Sequence, residues 1–375
     1  MIASTFAWRR EWPLVLVWLV FLLAVLFLGN AAGTHEFHFL MSLQLLVLFV
    51  TILIAAFGVV RHAETLAHRL GEPYGTLILT LSVISMEVSI IVAVMLTGSD
   101  QPTMARDTMY AVCMIVMNGL VGVSLLVGGL RHREQTYNLH GATIFLAVIM
   151  PLAVVALILP NYTHATSDPT YSIPQSIMVA VSTLGLYIVF LMVQTTRHRG
   201  YFEEPGEVIH RSPFSPSKTA QAPSVSIPRH AFLLLAYLVA VIALAKYLAT
   251  PIEHSISDLG LPAALGGLLI ATLILAPEGL GAIRAAQDNE MQRAINTLLG
   301  SIAATIGLTV SAVLVISIIT GEPLWLGLGP DHSILLALTL AVSVVTFGSG
   351  RTNVLLGAVH LVLFLTYVML IFDEV

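Results

Sequence analysis

The sequence is poor in charge and nearly free of cysteine. Only 10% of its 375 residues are Asp, Glu, Lys or Arg, and 57% are hydrophobic, whereas a soluble domain carries about 25% charged residues. That composition, with a mean hydropathy of +0.92, excludes a water-soluble fold. The single cysteine, Cys113, excludes disulfides and thiolate metal clusters; it lies in an apolar run and reads as a packing residue. A membrane zinc protease needs two histidines one helical turn apart around a glutamate. The nearest segment, His35-Glu36-Phe37-His38, has the wrong spacing. No Ser/His pair sits at matched depth either, so enzyme activity is not expected. The net charge of −5 says less than the placement of the charges, and no nucleic-acid partner is expected.

What the chain has is long apolar runs. A helix crossing hydrocarbon needs about 20 apolar residues. Such runs fall near 12–30, 39–60, 75–97, 108–130, 141–161, 173–195, 230–248, 261–284, 294–320, 333–349 and 353–372. The chain therefore reads as an all-α membrane protein with eleven spans, embedded in lipid. The first run is too long for a signal-peptide core and reads as a spanning helix. One connection, 197–229, is long and rich in Pro, Ser, Arg and His, and reads as a cytoplasmic linker. With the N-terminus inside, every one of the 16 Lys and Arg except Arg106 and Lys246 falls on the cytoplasmic side, as the positive-inside rule requires. The orientation is N-in and C-out, and the absence of a targeting segment together with the short loops points to a bacterial inner membrane.

A pattern occurs twice. Glu64-x5-Leu70-Gly71-x-Pro73 leads into a span with Glu87, and Glu253-x5-Leu259-Gly260-x-Pro262 leads into a span with Glu278. Each copy lies between the first and second helix of a five-helix set. Five is odd, so the two sets run in opposite senses, an inverted-topology repeat common in secondary transporters. The expected divisions are residues 1–36 for an extra N-terminal helix, 37–196 for the first repeat, 197–229 for the linker and 230–375 for the second repeat.

An ionisable side chain at the bilayer centre costs about 2.5–3.5 kcal/mol on insertion scales. Removal from water disfavours the charged carboxylate, and a bound cation favours it again. Glu87 and Glu278 can each hold a proton or a cation but resist holding both. The competing reading, a protonated glutamate in an interhelical hydrogen bond, loses ground when two occupy matching positions. Pro277, Gly279 and Gly281 predict a broken helix at Glu278, with carbonyl oxygens available to a hard cation. Further candidate ligands or pathway residues are Thr80, two turns before Glu87 on the same face, Ser82 and Ser85 at other angles of that span, Asn118, Ser301, Thr305 and Glu72. For each of these the competing reading is close helix packing through small polar side chains.

Val60-Arg-His-Ala-Glu64, Leu66 through Gly75, Gly128 through Asn138, Pro277-Glu-Gly-Leu-Gly281, Gly300-Ser301 and Gly350 through Val354 carry a resemblance. Through them the chain resembles the calcium/proton exchanger family of the cation/Ca²⁺ exchanger superfamily, above all its bacterial sodium(calcium)/proton antiporters. The resemblance implies that Glu87 and Glu278 alternate between cation and protons. It departs at Ile84 and Leu275, where the wider family has Asn, at Gly279, where it often has His, and at Thr305, where it has Gln. Fewer amide ligands leave room for Na⁺ or K⁺ beside Ca²⁺. The family's acidic regulatory stretch is reduced to Glu203, Glu204 and Glu207.

The expected activity is therefore cation/proton antiport exporting Ca²⁺ or Na⁺, or K⁺, with no cofactor beyond the transported ions and protons. A passive cation channel is the alternative, and a homo-oligomer is left open. His62, His68 and His254 flank the repeat motifs and are candidate pH sensors, with solvated loop positions as the competing reading. Glu64, Glu72 and Glu253 read either as guides for cations at the mouths of the pathway or as partners of Arg61 and Arg69. His360 reads as a packed, hydrogen-bonded residue.

Overall fold

The computed structural model describes residues 11–28, 38–71, 74–97, 103–204, 226–322 and 324–373. Among them are the helices α1 (Trp12–Leu28), α2 (His38–Leu70) and α3 (Tyr74–Thr97), then α4 (Met104–His132), α5 (Leu139–Tyr162) and α6 (Ile173–Arg197). After the linker come α7 (Ile227–Ala245), the short α8 (Ala249–Asp258) and α9 (Ala264–Gln287). The chain closes with α10 (Met291–Thr320), α11 (Pro330–Phe347) and α12 (Val354–Asp373). Among the described residues 9 helices are long and apolar enough to cross a membrane, and two shorter apolar stretches lie in α1 and α3. The protein is a multi-pass, almost wholly helical membrane protein. Glu72, Glu207 and His35-Glu36-Phe37 lie outside the described residues.

Two of the expected boundaries move. The segment Arg61–Leu70, read as a connection, continues α2. Ala63 and Leu66 are buried one turn apart, so this end of the helix still has an apolar stripe to cover. It stops only at Gly71, whose φ of +64° is the left-handed C-terminal cap that glycine adopts freely. In the second copy, α7 ends earlier and a turn leads into α8, which stops at Gly260 with φ +61°. The repeated Leu-Gly-x-Pro is thus a helix stop followed by a helix start.

The helices form two compact units. The first holds residues 1–108 and 227–277, the second 109–226 and 278–374. In the first, α2 packs against α3 and α7 around Ile52, Ala56, Val59, Met86, Ile90, Tyr237, Val241 and Leu244. Gly58 lets the Tyr237 ring against α2, since a Cβ there would stand 2.5 Å from a ring carbon. Gly267 of α9 lies as close to the backbone of Asp107 and Thr108.

In the second unit α12 lies along α4. A Cβ on Gly122 would come within 2.9 Å of Leu361, and one on Gly357 within 2.6 Å of the Leu126 nitrogen. Such approaches are how helices associate where lipid removes the hydrophobic drive between them. A two-residue strand, β1 (Gln135–Thr136), pairs antiparallel with β2 (Arg351–Thr352), so two of the motif segments meet. The start of the linker is tied down here too: Asn138 Nδ2 donates to the Gly200 carbonyl and Asn296 Nδ2 to that of Phe202.

Gly357→Ala should lower unfolding stability in mixed micelles by about 1–3 kcal/mol, because the atoms it meets are backbone and cannot move aside. Gly185→Ala in α6, with nothing within 4 Å, should be neutral or stabilising by up to about 1 kcal/mol. Equal effects at the two positions would contradict the tight α4–α12 contact.

Candidate functional site

Glu87 lies near the middle of α3 and is only 2% exposed, between Met86 and Ile90 of the first unit's core. On the same helix Thr80 is half-buried, Ser85 is exposed and Ser82 is buried. The Ser82 hydroxyl donates to the Ile78 carbonyl at 2.6 Å, and Ser89 donates to the Ser85 carbonyl. A hydroxyl returned to its own helix in this way is satisfied without a ligand.

Glu278 opens the second unit's share of α9. Its Oε2 is buried with no hydrogen-bond partner among the described residues, and the Ser301 hydroxyl of α10 is within hydrogen-bonding reach of its carboxyl group. A buried carboxylate oxygen left without a donor is a costly arrangement. The expected break at Pro277 does not occur, because α9 is helical from Ala264 to Gln287. Proline withdraws one N–H from the Leu273 carbonyl, and membrane helices tolerate that loss. Gly279 serves contact instead: a Cβ there would strike Leu120 at 2.7 Å.

The irregular backbone falls elsewhere. Leu120 ends a π turn, Ile115–Leu120, inside α4, and α10 has another, Thr305–Thr309. π turns shift the helical register, leave carbonyls off the regular ladder and recur at functional sites. Asn118 and Thr305 occupy these two turns and are both 0% exposed. Asn118 is fully engaged: its Nδ2 donates to Thr339 Oγ1 at 2.8 Å, and its Oδ1 meets His360 Nδ1 at 3.1 Å. The Thr305 turn is packed by α6, with Gly307 against the Tyr187 ring and Ser311 bonded to Thr183 at 2.8 Å. Among the described residues no three His, Cys, Asp or Glu side chains gather in a way that could hold a metal.

The far end of α9 is anchored by the Gly128–Asn138 segment. His132 Nε2 meets the Gln287 carbonyl at 2.7 Å, and Gln135 Nε2 donates to the Ala286 carbonyl at 2.9 Å and to Asn289 Oδ1 at 3.0 Å. These bonds satisfy carbonyls that a helix end leaves open and fix the helix that carries Glu278. Tyr137 donates to the Thr346 carbonyl, and burial pushes its phenol up to about 12, so it stays a donor at neutral pH.

The three histidines part company. His68 and His254 are exposed, but on helices α2 and α8 rather than on loops. His62 is also helical and is buried, at 1% exposure. It stacks on Tyr237, its Nδ1 lies 2.9 Å from His230 Nδ1, and its Nε2 faces Glu11 at 3.4 Å. Arg61 pairs with Glu11 at 2.6 Å, whereas the sequence suggested Glu64, which is exposed. Glu11, His230 and Tyr237 escaped the sequence reading because nothing in their spacing links them to residue 62.

Comparison with known proteins decides the family. The sodium/calcium exchanger protein family matches residues 40–196 and 229–372. The chain is 43% identical over 359 residues to the sodium-potassium/proton antiporter ChaA of Escherichia coli, covering 95% of each chain. The chain belongs to the sodium/calcium exchanger family. As a member, it is also 27% identical over 265 residues to a Ca²⁺/H⁺ antiporter of Aphanothece halophytica, covering 67% of this chain and 68% of that one. Its fold is that of native YfkE, with a TM-score of 0.72 at 19% identity over 96% of this chain and 98% of that one. The H⁺/Ca²⁺ exchanger CAX gives 0.67 at 14% identity, over 96% and 88%.

Ser301→Ala should weaken cation-driven flux by raising the apparent cation KM about fivefold, the worth of one hydrogen bond. An unchanged KM in proteoliposomes would remove Ser301 from the site.

Proposed function

We propose that this family member is a secondary active cation/proton antiporter of a bacterial inner membrane, exporting Na⁺, K⁺ or Ca²⁺ against entering protons. The observation that carries the reading is the 43% identity over 95% of the chain to a sodium-potassium/proton antiporter. The site agrees with it: Glu87 and Glu278 are each set in the interior of an apolar helix, and Glu278 presents an oxygen without a partner. Protons taken from outside neutralise the two carboxylates and leave toward the cytoplasm, where a cation replaces them. Na⁺ and K⁺ are the first substrates to test, because Ile84 and Leu275 offer no side-chain oxygen where the wider family supplies an amide.

On this reading the chain has eleven spans, N-in and C-out, with two inverted five-helix repeats at 37–196 and 230–375, preceded by the extra helix of 1–36 and joined by the linker 197–229. Local structure supports the pairing. Gly71 and Gly260 hold the same left-handed conformation at the same place in the two motifs. The third helix of each set starts with methionine, Met104 and Met291, and places Asn118 and Thr305 the same number of residues later, each in a π turn. The last helix of each set packs on the third helix of the other, α12 on α4 and α6 on α10. Homo-oligomers are compatible with this arrangement.

The test is proton flux in acid-loaded proteoliposomes with a pH-sensitive dye inside, adding Na⁺, K⁺ or Ca²⁺ in turn. Cation-dependent alkalinisation is expected, and Glu87→Gln and Glu278→Gln should each reduce it to background while the proteins still purify as folded species. Cation passage without proton movement would instead establish a channel.

A further inference from the structure

Asn118 stands at the point where α4 leaves regular helical geometry, yet no ligand is needed to account for its side chain. Its carboxamide is held on both sides. An amide oxygen only accepts, so the 3.1 Å contact with His360 Nδ1 places the imidazole proton on Nδ1. His360 Nε2 is then an acceptor and takes the Thr346 hydroxyl at 3.0 Å. Asn118 Nδ2 donates to Thr339 Oγ1 at 2.8 Å and lies 3.5 Å from Met114 Sδ. The ring is 0% exposed, as is Asn118. The ring also makes a hydrogen bond with the Met117 backbone, and with the amide in this orientation the other tautomer would set two acceptors face to face.

The chain sits in a contact with no slack. Beside it a Cβ on Gly119 would lie 3.3 Å from Phe364, and one on Gly122 would lie 2.9 Å from Leu361. Two residues past Asn118, Leu120 closes the π turn and rests on Gly279, the neighbour of Glu278. A shift of the Asn118 amide is therefore passed along one turn of backbone to the residue packed beside the working carboxylate.

We propose that His360, on the last helix, is a positioning residue of the exchange site: it holds the Asn118 carboxamide, and with it the π turn of α4, in register against the Glu278 segment. Apparent cation affinity then depends on a residue that touches no cation. This rests on the antiport reading above and on Glu278 as a working carboxylate.

The test uses two polar replacements that split the imidazole. In His360→Asn the side-chain amide nitrogen takes the place of Nδ1 and keeps the donor toward Asn118. In His360→Gln the polar end lies where Nε2 was, and the bond to Asn118 is lost. Cation-dependent proton flux is titrated with Na⁺, K⁺ and Ca²⁺ for both variants, for Asn118→Ala, and for Asn118→Ala combined with His360→Gln. His360→Gln should raise the apparent cation KM about fivefold at an unchanged maximal rate, while His360→Asn stays within about twofold of wild type. The double variant should show the KM of Asn118→Ala alone. A His360→Gln KM equal to that of wild type, equal shifts in the Asn and Gln variants, or multiplied effects in the double variant would each overturn the proposal. A wild-type protein that moves no protons with any of the three ions would overturn the antiport reading along with it.

Discussion

A carboxylate carried on a helix through hydrocarbon has to find its partners within the protein, and much of the second unit is arranged around that constraint. Among the described residues one oxygen of Glu278 has no hydrogen-bond partner, and the Ser301 hydroxyl lies within reach of the group. Its chain neighbours are Pro277 and Gly279, and Gly279 meets Leu120 at the end of the π turn of α4. A carboxyl group so sparsely supported is neutral only when it holds a proton and charged only when a cation offsets it. On the proposed antiport reading, exclusion of one ligand by the other follows from this scarcity of partners.

Scarcity of polar groups also governs packing. Helices in lipid gain nothing from burying leucine against leucine, so the contacts that fix α4 and α12 depend on glycines at 119, 122 and 357 and on one buried line of hydrogen bonds from Thr346 through His360 and Asn118 to Thr339. The first unit uses the same approach at Gly58, where the Tyr237 ring reaches α2. It adds a cluster of its own, with Arg61, His62 and Tyr237 gathered on Glu11.

Much of this was legible in the sequence because the bilayer limits the alternatives. The spans follow from runs of apolar residues, and the two glutamates stand out because charge inside such runs is rare. The Leu-Gly-x-Pro motif announced helix boundaries, although Arg61–Leu70 proved helical because Ala63 and Leu66 still had a face to cover. Pro277 misled in the other direction: loss of one donor did not break α9, and Gly279 answered to the approach of Leu120. The π turns at Asn118 and Thr305 left no mark in composition; they lie where α4 packs on α12 and α10 on α6. The Glu11–His62–His230 cluster was hidden for the same reason, its members being brought together only by packing.

The pairing of β1 with β2, and of α4 with α12, joins segments more than 200 positions apart in sequence. During synthesis α4 enters the membrane long before its partner exists. Until α11 and then α12 emerge, Asn118 has neither Thr339 nor His360, and the glycine faces at 119 and 122 are open to lipid or to a borrowed neighbour. The second unit therefore cannot mature from its N-terminal half alone, and biogenesis of this protein must hold an unfinished bundle in the bilayer until its last helix is delivered.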